Sequence, residues 1–203
     1  MARKRALIVE AAHRAFLDTG YAETTMNRIA NAAGVSIKTV YRHFDNKDDL
    51  FVAVMQNACS SGGLHDLNPN PCGAPPWFEL PPAQGLQRVC EIYLRHILED
   101  QQIALFRVVI QDAPKFPELA KRYRQEMFEN RDVLFARYLE RWRESQHWRL
   151  GDSQKAAGFF AGLLRSNLLE NALLGKQPGH RQIMRHAAMV AGTILAQLKN
   201  GSF

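Results

Sequence analysis

Apolar residues recur three and four positions apart through most of the chain, a spacing that predicts helices and an all-α fold. Ile8, Ala12, Ala15 and Phe16 share one face of a helix expected from about Arg5 to Asp18, which Gly20 closes. His13 falls on its opposite, solvent-facing side, and Arg3, Lys4 and Arg5 precede it as a basic arm. Met26, Ile29 and Ala33 mark a shorter second helix whose N-cap oxygen comes from Thr24 or Thr25. Gly34 ends it, because a residue without a Cβ enters the left-handed conformation easily, and Val35 is expected to be a buried hinge. Ser36 caps a third helix from Ile37 to about Phe44, with Val40 and Phe44 turned back onto the second. Asp45 or Asn46 caps a fourth, which carries Leu50, Phe51, Val54 and Met55 to about Ser60. Asp48 and Asp49 lie in its first turn, where the helix dipole favours negative charge.

The pattern breaks at Ser61–Ala83, where six of the nine prolines cluster with Gly62, Gly63 and Gly73 and exclude a regular helix. Trp77 and Phe78 sit in this stretch and need burial, so it reads as a flap packed over the second half of the chain. Helical spacing then resumes, first from about Leu86 to Asp100 with Val89, Ile92, Tyr93 and Ile97 inward, then from about Ile103 to Asp112. Pro114 stops the latter, and Pro117 opens a long helix expected to reach Trp148. That helix interleaves aromatics with arginines, but its spacing places most aromatics inward and the arginines beside glutamates as an ion-paired face. Two further helices, about Asp152–Leu174 and Gly179–Lys199, close the chain. The first is apolar around more than one stripe, with Gly158, Ala161 and Gly162 allowing close approach, so it needs burial on two sides. One side is its own domain, and the other suits a second subunit.

Composition narrows the function. With 46% apolar and 23% charged residues the chain can bury a core, and a net charge of +6 suits a polyanionic partner. No apolar run approaches the roughly 18 residues of a membrane span, and the short apolar run after the basic start stops at Glu10, short of a signal peptide, so the expected compartment is the cytoplasm. Cys59, Cys72 and Cys90 are odd in number and lack zinc-ligand spacing, which fits incidental free thiols. No Ser-His-Asp set, phosphate loop, paired carboxylates or metal-spaced histidines stand out, so catalytic residues, metal ligands and cofactors are all expected to be absent.

The chemistry concentrates on the third helix. A helix, a glycine turn and a capped second helix make a helix-turn-helix, and Lys38, Thr39, Tyr41, Arg42 and His43 crowd about two turns of its outer side. Donor and amphipathic side chains on a helix of this width fit the major groove of duplex DNA. The run A-x-x-A-G-V-S-x-x-T-V-Y-x-H-F-x-x-K-x-x-L from Ala30 to Leu50 resembles the TetR/AcrR family of bacterial regulators. Farther on, R-V-V-I-Q-D-A-P-K-F-P-E-L-A (Arg107–Ala120) resembles the C-terminal domain of its AefR-like subgroup.

That resemblance implies a DNA-binding domain over residues 1–46 and a ligand-binding and dimerisation domain over 47–203. It implies phosphate contacts from Thr25, Thr39, Tyr41, His43 and Lys47, and base contacts from Lys38 and Arg42. Ser36 joins this set at the helix cap, and Asn27 stands where many relatives carry a base-contacting Arg. Further implications are a double-stranded operator, a homodimer formed by helices 152–174 and 179–199, and a small-molecule effector. Phe106, Trp142, Phe159 and Leu163 are the candidate walls of the effector pocket, with Arg107, Asn167 or Arg165 as polar anchors. The function so read is a repressor released by its effector. The alternatives are an activator, or a helical small-molecule-binding protein that does not bind an operator.

Overall fold

Capping side chains, prolines and glycines mark many of the helix ends. The computed structural model describes residues 2–60 and 75–201, with side chains over 3–57 and 75–201. Among these residues there are eleven α-helices and no strand. They are α1 (Ala2–Glu23), α2 (Met26–Ala33), α3 (Ile37–His43), α4 (Lys47–Ser60), α5 (Pro82–Ile97) and α6 (Asp100–Asp112), then α7 (Pro117–Arg124), α8 (Asn130–Arg143), α9 (Ser153–Arg165), α10 (Leu168–Leu173) and α11 (His180–Asn200). The all-α expectation therefore holds.

Two compact units emerge. The first gathers α1–α4 with α6 and α7; the second gathers α5 and α8–α11 with a 3-10 turn at Pro76–Glu79. The sequence-based division at residue 46 kept α6 and α7 apart from the DNA-reading helices, whereas their contacts join them, for a reason that begins at Gly20. Its φ of 79° interrupts α1 and frees the backbone of the turn that follows. Asp112 at the end of α6 takes the freed amides, its Oδ2 accepting from Tyr21 N at 2.7 Å and Ala22 N at 3.3 Å. Lys47 at the start of α4 takes the freed carbonyls, its Nζ donating to Tyr21, Ala22 and Thr24 at 2.7, 3.3 and 2.9 Å. The same ammonium lies 4.3 Å from the centre of the Tyr21 ring. Tyr21 donates its hydroxyl to Asp48, stacks edge-on against Phe116, and Arg122 of α7 pairs with Asp49 at 2.8 Å. A dyad of charges thus ties α4 and α6 to one broken helix end, around a core of Ile8, Phe16, Ile29, Leu50 and Phe51.

In the second unit α5 packs on α11 and α8 on α9. Trp77 and Phe78 are buried, each in ring contact with Tyr138, whose hydroxyl donates to Leu80 O at 3.0 Å. That much of the expected flap is in place; Ser61–Ala74, with Cys72, lies outside the described residues, as does the side chain of Cys59. Cys90 is buried.

Several sequence-based expectations need correction. Arg3, Lys4 and Arg5 are not an arm before the helix but part of its first turns, since α1 starts at Ala2. His13 is half-buried, with Nε2 enclosed and unpartnered, and burial holds its pKa below the ordinary value. Val35 is only partly buried. The helix expected from Pro117 to Trp148 widens into a π turn at Gln125–Glu129 and ends at Arg143. Arg131 accompanies the widened turn by donating to Met127 O at 2.6 Å, a side chain entering the backbone ladder. The helix expected over 152–174 breaks at Asn167, whose φ of 60° is one that Asn tolerates better than most residues.

Candidate nucleic-acid interface

The reading unit is assembled by local hydrogen bonds. Thr25 Oγ1 caps α2 by accepting from Arg28 N at 3.2 Å, satisfying an amide that a helix start leaves open. Gly34, in the left-handed conformation at φ 65°, returns its amide to the end of α2 and turns the chain toward α3. Ser36 Oγ then caps α3 by accepting from Thr39 N at 3.2 Å and lies 2.9 Å from Thr39 Oγ1. Asn46 Oδ1 does the same for α4, accepting from Asp49 N at 2.8 Å. Val40 and Phe44 are buried beneath α3, so its orientation is fixed by packing. Lys38, Tyr41 and Arg42 are exposed on its outer side, Tyr41 at 53%. Thr25 and Asn27 at the start of α2 are also exposed, and Thr39 is half-buried. The structure therefore gathers Thr25, Asn27, Ser36, Lys38, Thr39, Tyr41 and Arg42 on the α2–turn–α3 segment, with aromatic and cationic groups facing solvent.

Two members of the expected set are placed differently. Lys47 is engaged with three backbone carbonyls, and its pKa is lowered first by desolvation, against the pull of Asp48 and Asp112. Its ammonium holds the fold together rather than pointing to a phosphate. His43 is half-buried beside Phe44, with Nε2 enclosed and without a hydrogen-bond partner. Nothing in the neighbouring residues signals a tertiary partner for either side chain.

The structure also brings forward two cations that the spacing of the motif does not single out. Arg28 is exposed next to Asn27 on α2 and is steadied by donating from Nη1 to Thr19 Oγ1 at 3.2 Å. Its position three residues after the cap Thr25 was the available signal. Arg5 lies 5.2 Å from the centre of the Phe44 ring, which stations the basic start of α1 at the end of α3.

The candidate effector residues are divided between the two units. Phe106, stacked on Tyr123, and the exposed Arg107 belong to the first unit. Trp142, Phe159, Leu163 and Asn167 belong to the second, where Phe159 is 59% exposed and Asn167 is exposed at the α9–α10 break. Helical periodicity identifies an apolar residue but not which of two apolar faces meets its own domain. Arg165 donates to Tyr93 Oη at 2.6 Å and covers the Phe128 ring. Instead, a narrow cavity of about 30 Å³ lies inside the second unit. Trp77, Cys90, Tyr93, Phe135, Phe160 and Leu164 are among the residues that line it.

Among the described residues no cluster of His, Cys, Asp and Glu could hold a metal ion, and no helix is long and apolar enough to cross a membrane.

Comparison with known proteins agrees with the geometry. Residues 8–54 match the family described as "Bacterial regulatory proteins, tetR family", and residues 84–198 match the "AefR-like transcriptional repressor, C-terminal domain". The chain is 47% identical over 53 residues to the HTH-type transcriptional regulator TtgR of Pseudomonas putida, a match covering 26% of this chain and only 25% of that protein. A crystal structure of a putative TetR-family transcriptional regulator from Mesorhizobium loti superposes with a TM-score of 0.78 at 26% identity, over 96% of both chains. The flavonoid-responsive regulator FrrA is similar, with a TM-score of 0.77 at 27% identity over 97% of both chains.

Proposed function

The chain belongs to the TetR family, whose members are transcription regulators and not enzymes, and from that premise we propose that it is a dimeric repressor released from its operator by a small molecule. The observation that carries this reading is the outer side of α3. Lys38, Tyr41 and Arg42 stand clear of the surface on a helix held by a cap at each side and by buried Val40 and Phe44. Arg42 suits a guanine edge by its two-pronged donors, and Lys38 supplies a less directional base contact. Tyr41, Thr39, Thr25 and Ser36 serve phosphates or sugars, joined by Arg28 and by Arg3, Lys4 and Arg5 at the start of α1. Asn27 faces the same surface as a lesser contact.

Dimerisation is supported by features of α9 and α11 that their own chain does not explain. Gly162 and Gly192 sit inside helices, where glycine costs about 1 kcal/mol against alanine, yet a Cβ at either would meet nothing within 4 Å. Phe159 and Met189 are exposed on the same two helices. A second copy laid across them would bury both the large side chains and the glycine gaps. Two α3 helices related by a two-fold axis then call for a pseudo-palindrome with half-sites about 34 Å apart or somewhat more.

The effector is assigned to the second unit, where the cavity between Trp77 and Phe160 lies; the similar protein FrrA is named for a flavonoid response. The chain passes between the units after α4, between α5 and α6, and between α7 and α8, so a ligand that spreads the second unit acts on the first through continuous backbone. It does so only by its different affinity for the two arrangements, typically about 1–3 kcal/mol. Selection of binding sites from random duplexes tests the whole reading. Enrichment of a two-fold symmetric sequence bound by two chains supports it, and enrichment of nothing above background refutes it.

A further inference from the structure

The cavity of the second unit carries chemistry of its own. Its walls are Trp77, Phe135 and Phe160 among the aromatics, with Leu164 among the aliphatics, and its surface is almost wholly carbon. At about 30 Å³ it has room for roughly one or two water molecules, so a ligand must part the walls to enter. Trp77 is the wall carried by the shortest element, the four-residue turn Pro76–Glu79. Arg131 and Asp132 also border the space, adjacent in sequence and opposite in sign. Arg131 already donates to Met127 O and lies 3.0 Å from His96 Nε2. Against walls that are otherwise almost wholly carbon, an ionised ligand of either sign would lose hydration that these groups, already engaged, do not replace.

One polar group in the wall has a proton to give. Arg165 Nη1 donates to Tyr93 Oη at 2.6 Å, which occupies the phenol oxygen as an acceptor and polarises its O–H bond. Among the described residues that hydroxyl has no acceptor for its own hydrogen. Burial raises the phenol's pKa, with Arg165 pulling the other way, so the group stays protonated. Cys90 is the second polar wall residue, and burial pushes its thiol up to about 12, which keeps it a thiol and argues against covalent or redox capture.

We infer that this cavity is the effector site of the protein and that its ligand is an uncharged, flat aromatic molecule bearing one neutral hydrogen-bond acceptor, a carbonyl or an ether oxygen, placed on the Tyr93 hydroxyl. The aromatic body fills the space between Trp77, Phe135 and Phe160, and the Tyr93–Arg165 pair fixes its orientation. This deepens the effector part of the function proposed above and rests on it.

Calorimetric titration of the full chain with four probes of one ring system tests the inference: naphthalene, 2-acetylnaphthalene, 2-naphthoate and 2-naphthylmethylammonium. The ketone is expected to bind about fivefold tighter than naphthalene through its one hydrogen bond. The two ions are expected to bind about a hundredfold more weakly than the ketone. Tyr93→Phe should erase the ketone's advantage while leaving naphthalene unchanged, and Ala161→Leu, which fills the space, should remove binding of both. Ions that bind as well as the ketone, or a ketone advantage that survives in Tyr93→Phe, overturn the assignment. So does the absence of binding by any probe to a chain that still selects its operator. A chain that takes the ketone through Tyr93 but selects no duplex would instead leave this site standing and sink the repressor reading.

Discussion

The α2–turn–α3 segment and the cavity of the second unit are built on different length scales. Both side-chain caps of the reading segment join residues three apart, Thr25 to Arg28 and Ser36 to Thr39, and its outer side chains Lys38, Tyr41 and Arg42 are exposed. The cavity draws its walls from residues 77 to 194, and those walls are also core: Trp77, Tyr93, Phe160 and Ile194 are all buried. The exposed chemistry of α3 is therefore separate from the core, whereas a change of wall volume in the cavity is also a change in the core. Between these extremes lies the Gly20 break, where Lys47 and Asp112 hold the reading unit from far along the chain.

The widest effect should come from the buried imidazole of the second unit. His96 is 1% exposed, and desolvation followed by the charge of Arg131 lowers its pKa to about 3 from 6.5, with Glu99 4.0 Å from Nδ1. The unfolded chain takes up this proton first as pH falls. Stability is thus fully present above about pH 6.5 and drops by about 1.4 kcal/mol per pH unit down to about pH 3. Urea unfolding at a series of pH values should show this limb, and His96→Gln should flatten it. A wild-type limb unchanged by the substitution would remove His96 from the account.

Lys47→Met separates the holding role from a phosphate role. Loss of its charged hydrogen bonds is expected to lower unfolding stability by about 1–3 kcal/mol, with no change in the salt slope of operator binding. The opposite result, an unchanged midpoint and a shallower slope, would return Lys47 to the DNA surface. Arg42→Ala should do neither. Its expected cost is about 1–3 kcal/mol at one base pair, seen as relaxed specificity in gel shifts with single-base operator variants.

Gly192→Leu addresses the α9–α11 face. It should weaken the dimer by about 1–3 kcal/mol through overpacking and leave monomer unfolding unharmed, as read by sedimentation against concentration. A dimer of undiminished affinity would move the interface elsewhere. The smallest effect belongs to the start of α1, where Arg3→Ala with Lys4→Ala should reduce the slope of log affinity against log salt by about one for each phosphate left without its cation.

Much of the reading unit was legible because its signals are short-range. Thr25, Gly34, Ser36 and Asn46 each act on backbone within one turn, so the sequence neighbours that define a cap are also its partners in space. The candidate effector residues were illegible for the converse reason. Phe159 and Phe160 are adjacent and equally apolar, yet Phe160 lines the cavity while Phe159 faces outward, because one position turns a helix by about 100°. Spacing finds a stripe and leaves open which stripe packs inward.

The sequence by itself determined that this chain is helical, that it carries a helix-turn-helix, and that Lys38, Tyr41 and Arg42 stand on the outer side of its second helix, since caps, turn glycines and outward side chains are all properties of a few consecutive residues. Tertiary structure alone decided that α6 and α7 join the reading unit, that Lys47 is drawn into the fold by carbonyls freed at Gly20, and that Trp77, Tyr93 and Phe160 share a cavity. Those outcomes depend on which distant groups satisfy a broken backbone or fill a gap, and that choice is made by three-dimensional packing.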